Sequence, residues 1–158
     1  MIAALGSVQA KLSLCEPNER VVYSCEVKSS SKVASLCASQ TLTEQEGYLQ
    51  YRFGSPGQIE LTYPAQKRNS LQKFRLWRYA RPMVDRLTIS FDSGAYTYTY
   101  SSDYDGDEKP PIDKVEILVS RQGSRKVTTL VCVGKQIADF SFIEGIMPCQ
   151  DDSWGQCP

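Results

Sequence analysis

Apolar and polar positions alternate along most of the chain in short runs, broken about every ten residues by turn-forming clusters. Val21-Val22-Tyr23-Ser24-Cys25-Glu26-Val27 and Val33-Ala34-Ser35-Leu36-Cys37 flank the Ser-rich stretch 28–32 and predict a hairpin centred on Ser31. Tyr48 to Phe53 and Ile59 to Tyr63 flank Gly54-Ser55-Pro56-Gly57 and predict a second. A polar, basic loop at 64–72 precedes a strand from Phe74 to Tyr79. Val84 to Phe91 and Ala95 to Tyr100 are strands separated by Asp92-Ser93-Gly94. Tyr96, Tyr98 and Tyr100 share one face of the second, with Thr97 and Thr99 on the other. An acidic loop follows from Asp103 to Asp113. Val115 to Val119 and Val127 to Val133 then form a last hairpin around Gln122-Gly123-Ser124. Gln136 to Glu144 reads as a short helix, and the remainder is an irregular tail.

The fold class is therefore all-β: an antiparallel meander of about eight strands, closed as a barrel or sandwich so that no edge is left bare. A short C-terminal helix and a disulfide-pinned tail complete it. With 158 residues, the chain holds one domain of ordinary size. Residues 1–10 read as a signal-peptide remnant and 11–158 as a single β domain. Val8-x-Ala10 fits the small-residue cleavage pattern after Ile2-Ala3-Ala4-Leu5. Leu14 is too bulky before Cys15, and Lys11 too polar, for a lipoprotein signal.

Six cysteines without a Cys-x-x-Cys pair favour disulfides over zinc or dithiol redox chemistry. In the expected hairpin register Cys25 lies opposite Cys37, and that bridge is predicted first. Cys132 with Cys149 and Cys15 with Cys157 is the favoured arrangement of the rest, with three connectivities open once Cys25–Cys37 is set. The expected location is periplasmic or secreted. No apolar run approaches the ~20 residues of a membrane helix, so no membrane insertion is expected.

The chemistry of the side chains narrows the function. There is no histidine, which removes the commonest general base and metal ligand. No Gly-rich phosphate loop occurs, and cysteines held in disulfides offer no thiol nucleophile. Asp85, Asp92, Glu60 and Glu116 are the candidates for a glycosidase-type carboxylate pair, but no spacing joins any two of them. Asp103-Tyr104-Asp105-Gly106-Asp107-Glu108 offers hard oxygen ligands at alternate positions, though Lys114 stands where an EF-hand needs its last carboxylate. A solvated acidic loop is the expectation there. Lys67 to Arg86 is basic and interleaved with Phe74, Trp77 and Tyr79, yet 18 basic residues balance 18 acidic ones overall. Nucleic acid is not the expected partner. No enzyme, no cofactor and no metal are expected; a protein partner is.

The stretch Ser93-Gly94-Ala95-Tyr96 reads locally as a hairpin turn, with a type I turn at Asp92-Ser93 and Gly94 in the left-handed bulge position after it. Ser93 would then point off the tip. An exported, disulfide-bonded β domain with such a Ser-Gly-x-Tyr tip resembles the periplasmic bacterial lysozyme inhibitors. The resemblance implies that the tip enters the lysozyme cleft, with the Ser93 and Tyr96 hydroxyls bonding near the catalytic carboxylates and Gly94 shaping the turn. Arg75 and Arg78 would add attraction to an acidic cleft. Gly47-Tyr48-Leu49-Gln50-Tyr51-Arg52-Phe53-Gly54 also resembles exported proteobacterial proteins, a likeness that carries no activity. A periplasmic immunity protein against a secreted toxin, or an envelope β-barrel with an apolar interior for glycan or lipid, are the alternative functions.

Overall fold

The computed structural model describes residues 12–150. Among them run nine strands: β1 (Arg20–Val27), β2 (Val33–Ala38), β3 (Leu49–Ser55), β4 (Gln58–Tyr63), β5 (Arg75–Arg81), β6 (Val84–Ser93), β7 (Tyr96–Asp105), β8 (Ile112–Arg121) and β9 (Val127–Ala138). One 3-10 turn, Ser70–Lys73, precedes β5. The strands form one antiparallel sheet in the order β4-β3-β2-β1-β9-β8-β7-β6-β5. The meander expected from the periodicity is present, with its first and last strands paired.

The sheet is not closed as a barrel, which corrects that part of the expectation. The reason is parity. With nine antiparallel neighbours in a row, the two outermost strands, β4 and β5, point the same way. Closing them would need a parallel pair, and a parallel pair needs a long crossover, usually helical. The segment between Tyr63 and Arg75 is not one. The two edges are protected separately. On β5, Leu76 N–H donates to the Pro148 carbonyl and Gln150 N–H to the Leu76 carbonyl, both at 2.8 Å. On β4, the register slips next to Gly54, which leaves Glu60 as an extra residue, and the strand ends at Tyr63, just before Pro64. Such a bulge bends an edge away from further pairing.

β9 is the fold line of the sheet. It pairs with β8 over Val127–Val131 and with β1 over Cys132–Ala138, so it leaves one half of the sheet and joins the other. The halves face each other across an aromatic core. Tyr23 of β1 stacks on Tyr100 of β7 with ring centroids 4.0 Å apart. Phe91 of β6 stacks on Tyr63 at 4.6 Å and on Tyr98 at 5.0 Å, and meets Phe74 edge-on. Burial pushes the Tyr23 and Tyr51 hydroxyls well above their usual range and Tyr100 up to about 12. Period two thus points Tyr98 and Tyr100 inward and leaves Thr97 and Thr99 on the opposite face.

The C-terminal helix expected at Gln136–Glu144 does not form. β9 runs through Ala138, because Tyr23 and Ser24 of β1 offer it a partner there. Hydrogen-bonded turns from Phe140 to Met147 follow. They carry Ile143 and Met147 into the core and set Phe140 beside Tyr100. The tail therefore plugs the core.

The disulfides differ from those expected. Cys15 is bonded to Cys37 and Cys25 to Cys132. These bonds replace Cys25–Cys37, Cys132–Cys149 and Cys15–Cys157; Cys157 lies outside the described residues, as do residues 1–10, where a signal-peptide remnant was expected. The cause is a register shift. The first hairpin turns between Ser29 and Ser30 rather than at Ser31, so Cys25 opposes Ala34, which lines the core. Cys37 opposes Val21 and Gln50, on the other face. Two cysteines on opposite faces of a sheet cannot bridge. Cys25 instead reaches β9 at the fold line, and Cys37 takes Cys15 from a strap that covers the outer face.

That strap, residues 12–19, seals β1–β3. Leu14 N–H donates to Ser35 Oγ, and Ser24 Oγ donates to the Leu12 carbonyl. Beneath it Arg52 donates to both carboxylate oxygens of Glu19, at 2.6 and 2.8 Å, and to Leu14 O and Gln50 Oε1. Both side chains are almost wholly buried, at 6% and 0% exposure.

Candidate functional site

The tip between β6 and β7 is tighter than the sequence suggests. Ser93 pairs directly with Tyr96, so the loop is two residues, Gly94 and Ala95. Gly94 has φ +57, and Ala95 is not among the positive-φ residues. Left-handed geometry at the first loop residue alone is the type II′ turn, whose twist matches that of the flanking strands. The expected type I turn at Asp92-Ser93 is replaced, and Ser93 is not at the apex. It stands on the strand, beside Tyr96, on the face that carries Phe91 and Tyr98. Gly94 and Ala95 are exposed, and Tyr96 is 44% exposed. A Cβ at Gly94 would meet nothing within 4 Å, so the tip is unobstructed.

A polar brace holds this tip from behind. Asp92 opposes Thr97, one step back from Ser93–Tyr96. Its carboxylate accepts from Thr97 Oγ1 at 2.6 Å and from Arg75 Nη1 at 3.0 Å. The Thr97 hydroxyl, then Arg75 and Gln122, hold the Asp92 carboxyl below its usual range against a modest burial cost. Gln122 belongs to the neighbouring β8–β9 turn, and its N–H donates to the Ala95 carbonyl at 2.8 Å. Two hairpin tips are thereby tied into one unit. Asp92 was visible only as an isolated carboxylate, and Thr97 and Gln122 were missed. The signal that could have found them is the symmetry of positions 92/97 about a two-residue turn.

The structure brings Ser93, Gly94 and Tyr96 together, with Arg75 behind them through Asp92. Arg78 is elsewhere. It lies three residues from Arg75, hence on the opposite face of β5, where it pairs with Asp85 and with Glu144 of the tail. Its role there is to pin the plug. Neither arginine is a bare charge.

The other acidic candidates are likewise engaged. Glu60 pairs with Lys32 and Glu116 with Lys114. In the acidic stretch, Arg86 takes Asp103 at 3.0 Å and Asp105 at 2.8 Å, and Arg81 takes Asp107 at 2.6 Å. Much of that stretch is strand rather than loop, since β7 extends to Asp105 and β8 begins at Ile112. The one cluster among the described residues with metal-ligand types in reach, Cys15, Glu19 and Cys37, has its sulfurs in a disulfide and its carboxylate on Arg52. The described helical content holds nothing long and apolar enough to cross a membrane. No family model, no curated protein and no solved structure matches this chain.

Proposed function

We propose that this chain is an exported protein-binding domain that presses the β6–β7 tip into a cleft of its partner, and that the partner is a glycan-cleaving enzyme of the lysozyme class. The observation that carries the reading is the braced tip. Gly94, Ala95 and Tyr96 project freely while Asp92, Arg75, Thr97 and Gln122 hold the backbone behind them. A pre-shaped tip loses little conformational freedom on binding, so more of its contact energy appears as affinity. Ser93 and Tyr96, side by side, present two hydroxyls, and a hydroxyl donates well to a carboxylate. The disulfides support an oxidising, periplasmic or extracellular location.

The test is inhibition of muramidase activity by purified, oxidised protein. Near-stoichiometric inhibition is expected, weakened at least about tenfold, or 1.4 kcal/mol, by Ser93→Ala combined with Tyr96→Ala. Full muramidase activity in the presence of excess protein, across the animal and bacterial lysozyme types, would overturn the reading.

A further inference from the structure

The β8–β9 turn brings a second set of side chains to the β6–β7 tip. Arg121, the last residue of β8, lies directly opposite Tyr96, as Tyr96 lies opposite Ser93. Directly opposed residues share a face of the sheet, so Ser93, Tyr96 and Arg121 form one row across β6, β7 and β8. That row lies two residues beyond the row of Phe91, Tyr98 and Val119, at the end of the sheet. Arg121 is exposed. The turn that follows it is held as closely as the tip. Gln122 N–H donates to the Ala95 carbonyl, Ser124 N–H to the Arg121 carbonyl at 3.0 Å, and Lys126 N–H to Ser124 Oγ at 3.1 Å.

Charge sets Arg121 apart. Arg52, Arg75, Arg78, Arg81 and Arg86 each hold a carboxylate of the fold. Arg121 holds none among the described residues, and neither do Arg125 and Lys126 in the same exposed turn. Asp92 stands one residue before Ser93, hence on the opposite face, and is already taken by Arg75 and Thr97. The end of the sheet therefore presents two hydroxyls and a bare guanidinium in line, with two further cations and no acid in the adjoining turn.

This set is complementary to a pair of carboxyl groups. Hydroxyls donate to one carboxylate, and a guanidinium takes another through two parallel hydrogen bonds. Glycan-cleaving clefts carry two carboxyl groups about 5–9.5 Å apart. Strand spacing sets Arg121 ~4.8 Å from Tyr96 and ~9.6 Å from Ser93 along the row, which spans the same range.

We infer that Arg121 is a specificity-determining residue of the tip: Ser93 and Tyr96 donate to one carboxyl group of the partner's catalytic pair, and Arg121 takes the other. This rests on the reading of the tip as an inhibitor that enters a muramidase cleft, and it adds which side chain meets which acid.

The experiment is a double-mutant cycle, read by calorimetry, between the oxidised protein and the muramidase it inhibits. Arg121→Gln should weaken binding at least about tenfold, the scale of a lost charge-assisted pair, with an unchanged circular dichroism spectrum because the side chain is exposed. Each catalytic acid of the muramidase is then changed in turn to its amide. Against one of these variants Arg121→Gln should bind within about twofold of the unchanged protein. Against the other its loss should persist, and there Ser93→Ala with Tyr96→Ala should be the change without effect. Inhibition that Ser93→Ala with Tyr96→Ala weakens but Arg121→Gln does not would overturn this inference and leave the tip reading standing. Equal losses for Arg121→Gln against both muramidase variants would also overturn it. So would full inhibition by Arg121→Gln with lost retention on phosphocellulose, which would assign these cations to a polyanion. Absence of inhibition by the unchanged protein would overturn the tip reading and this inference together.

Discussion

Two arginine–carboxylate pairs, Arg52–Glu19 and Arg75–Asp92, use the same chemistry in opposite settings. Arg52 and Glu19 lie under the strap, nearly inaccessible, and the surrounding backbone and side chains add further bonds. Tyr48 donates to Glu19 Oε1 and Gln50 to the Pro64 carbonyl, so the loops before and after β3–β4 converge on the same knot. Arg75 and Asp92 are each more than a third exposed and lie behind a projecting turn. A buried pair with every lone pair used specifies how the strap closes; an exposed one contributes little stability. The first pair belongs to the architecture. The second sets the shape of a turn that stays exposed to solvent.

The largest effect should come from breaking the buried pair. Arg52→Met leaves Glu19 charged and unpaired in a dry site, and should cost about 3–5 kcal/mol in urea denaturation. The double change Glu19→Leu with Arg52→Met should recover most of that loss. Arg75→Met should cost no more than about 1 kcal/mol; a cost similar to that of Arg52→Met would erase the contrast.

Next comes the strap's own fastening. Cys15→Ser with Cys37→Ser opens a loop of 22 residues and should cost about 3 kcal/mol on chain entropy. Amide exchange should then accelerate at Leu14, while the Asp92–Thr97 hairpin keeps its protection.

Acid should act on both pairs with the same sign but unequal weight. Burial alone would raise the Glu19 carboxyl, but Arg52, the Glu16 N–H and Tyr48 together hold it below the usual 4.5. A depressed carboxyl contributes its stabilisation above the unfolded value and loses it as pH falls through the folded one. Stability should therefore fall below about pH 4.5, and the Glu19→Leu, Arg52→Met protein should show a shallower acid limb. An unchanged acid limb would remove Glu19 from the account.

The smallest effect on stability belongs to Thr97→Val, about 1 kcal/mol or less for one partly exposed hydrogen bond. Its informative readout is the Asp92 carboxyl, which should titrate at higher pH by NMR. Affinity for the partner should fall even though Thr97 itself faces away from Ser93 and Tyr96. Full affinity would show that the brace is dispensable.

Much of the fold was legible before any coordinates. Strand positions follow from alternation, because burying one face of a sheet forces a period of two. All nine runs became strands, and Gly94 marked the β6–β7 turn. The register was not legible. Placing the first turn at Ser31 instead of between Ser29 and Ser30 sends Cys37 to the wrong face, and that single error carried the disulfides with it. Arg75 and Arg78 were grouped by charge, yet their separation of three puts them on opposite faces of β5.

The sequence by itself determined the all-β class, the strand runs, the cystine-rich character and the Ser93-Gly94-Ala95-Tyr96 turn, since each depends on local pattern or residue type. Only the tertiary structure decided which cysteines meet, that the sheet stays open between β4 and β5, and that Asp92, Thr97, Arg75 and Gln122 converge behind the tip. Those outcomes depend on strand parity, on register and on the fold line in β9, which join residues far apart in the chain and leave no periodic trace within any one strand.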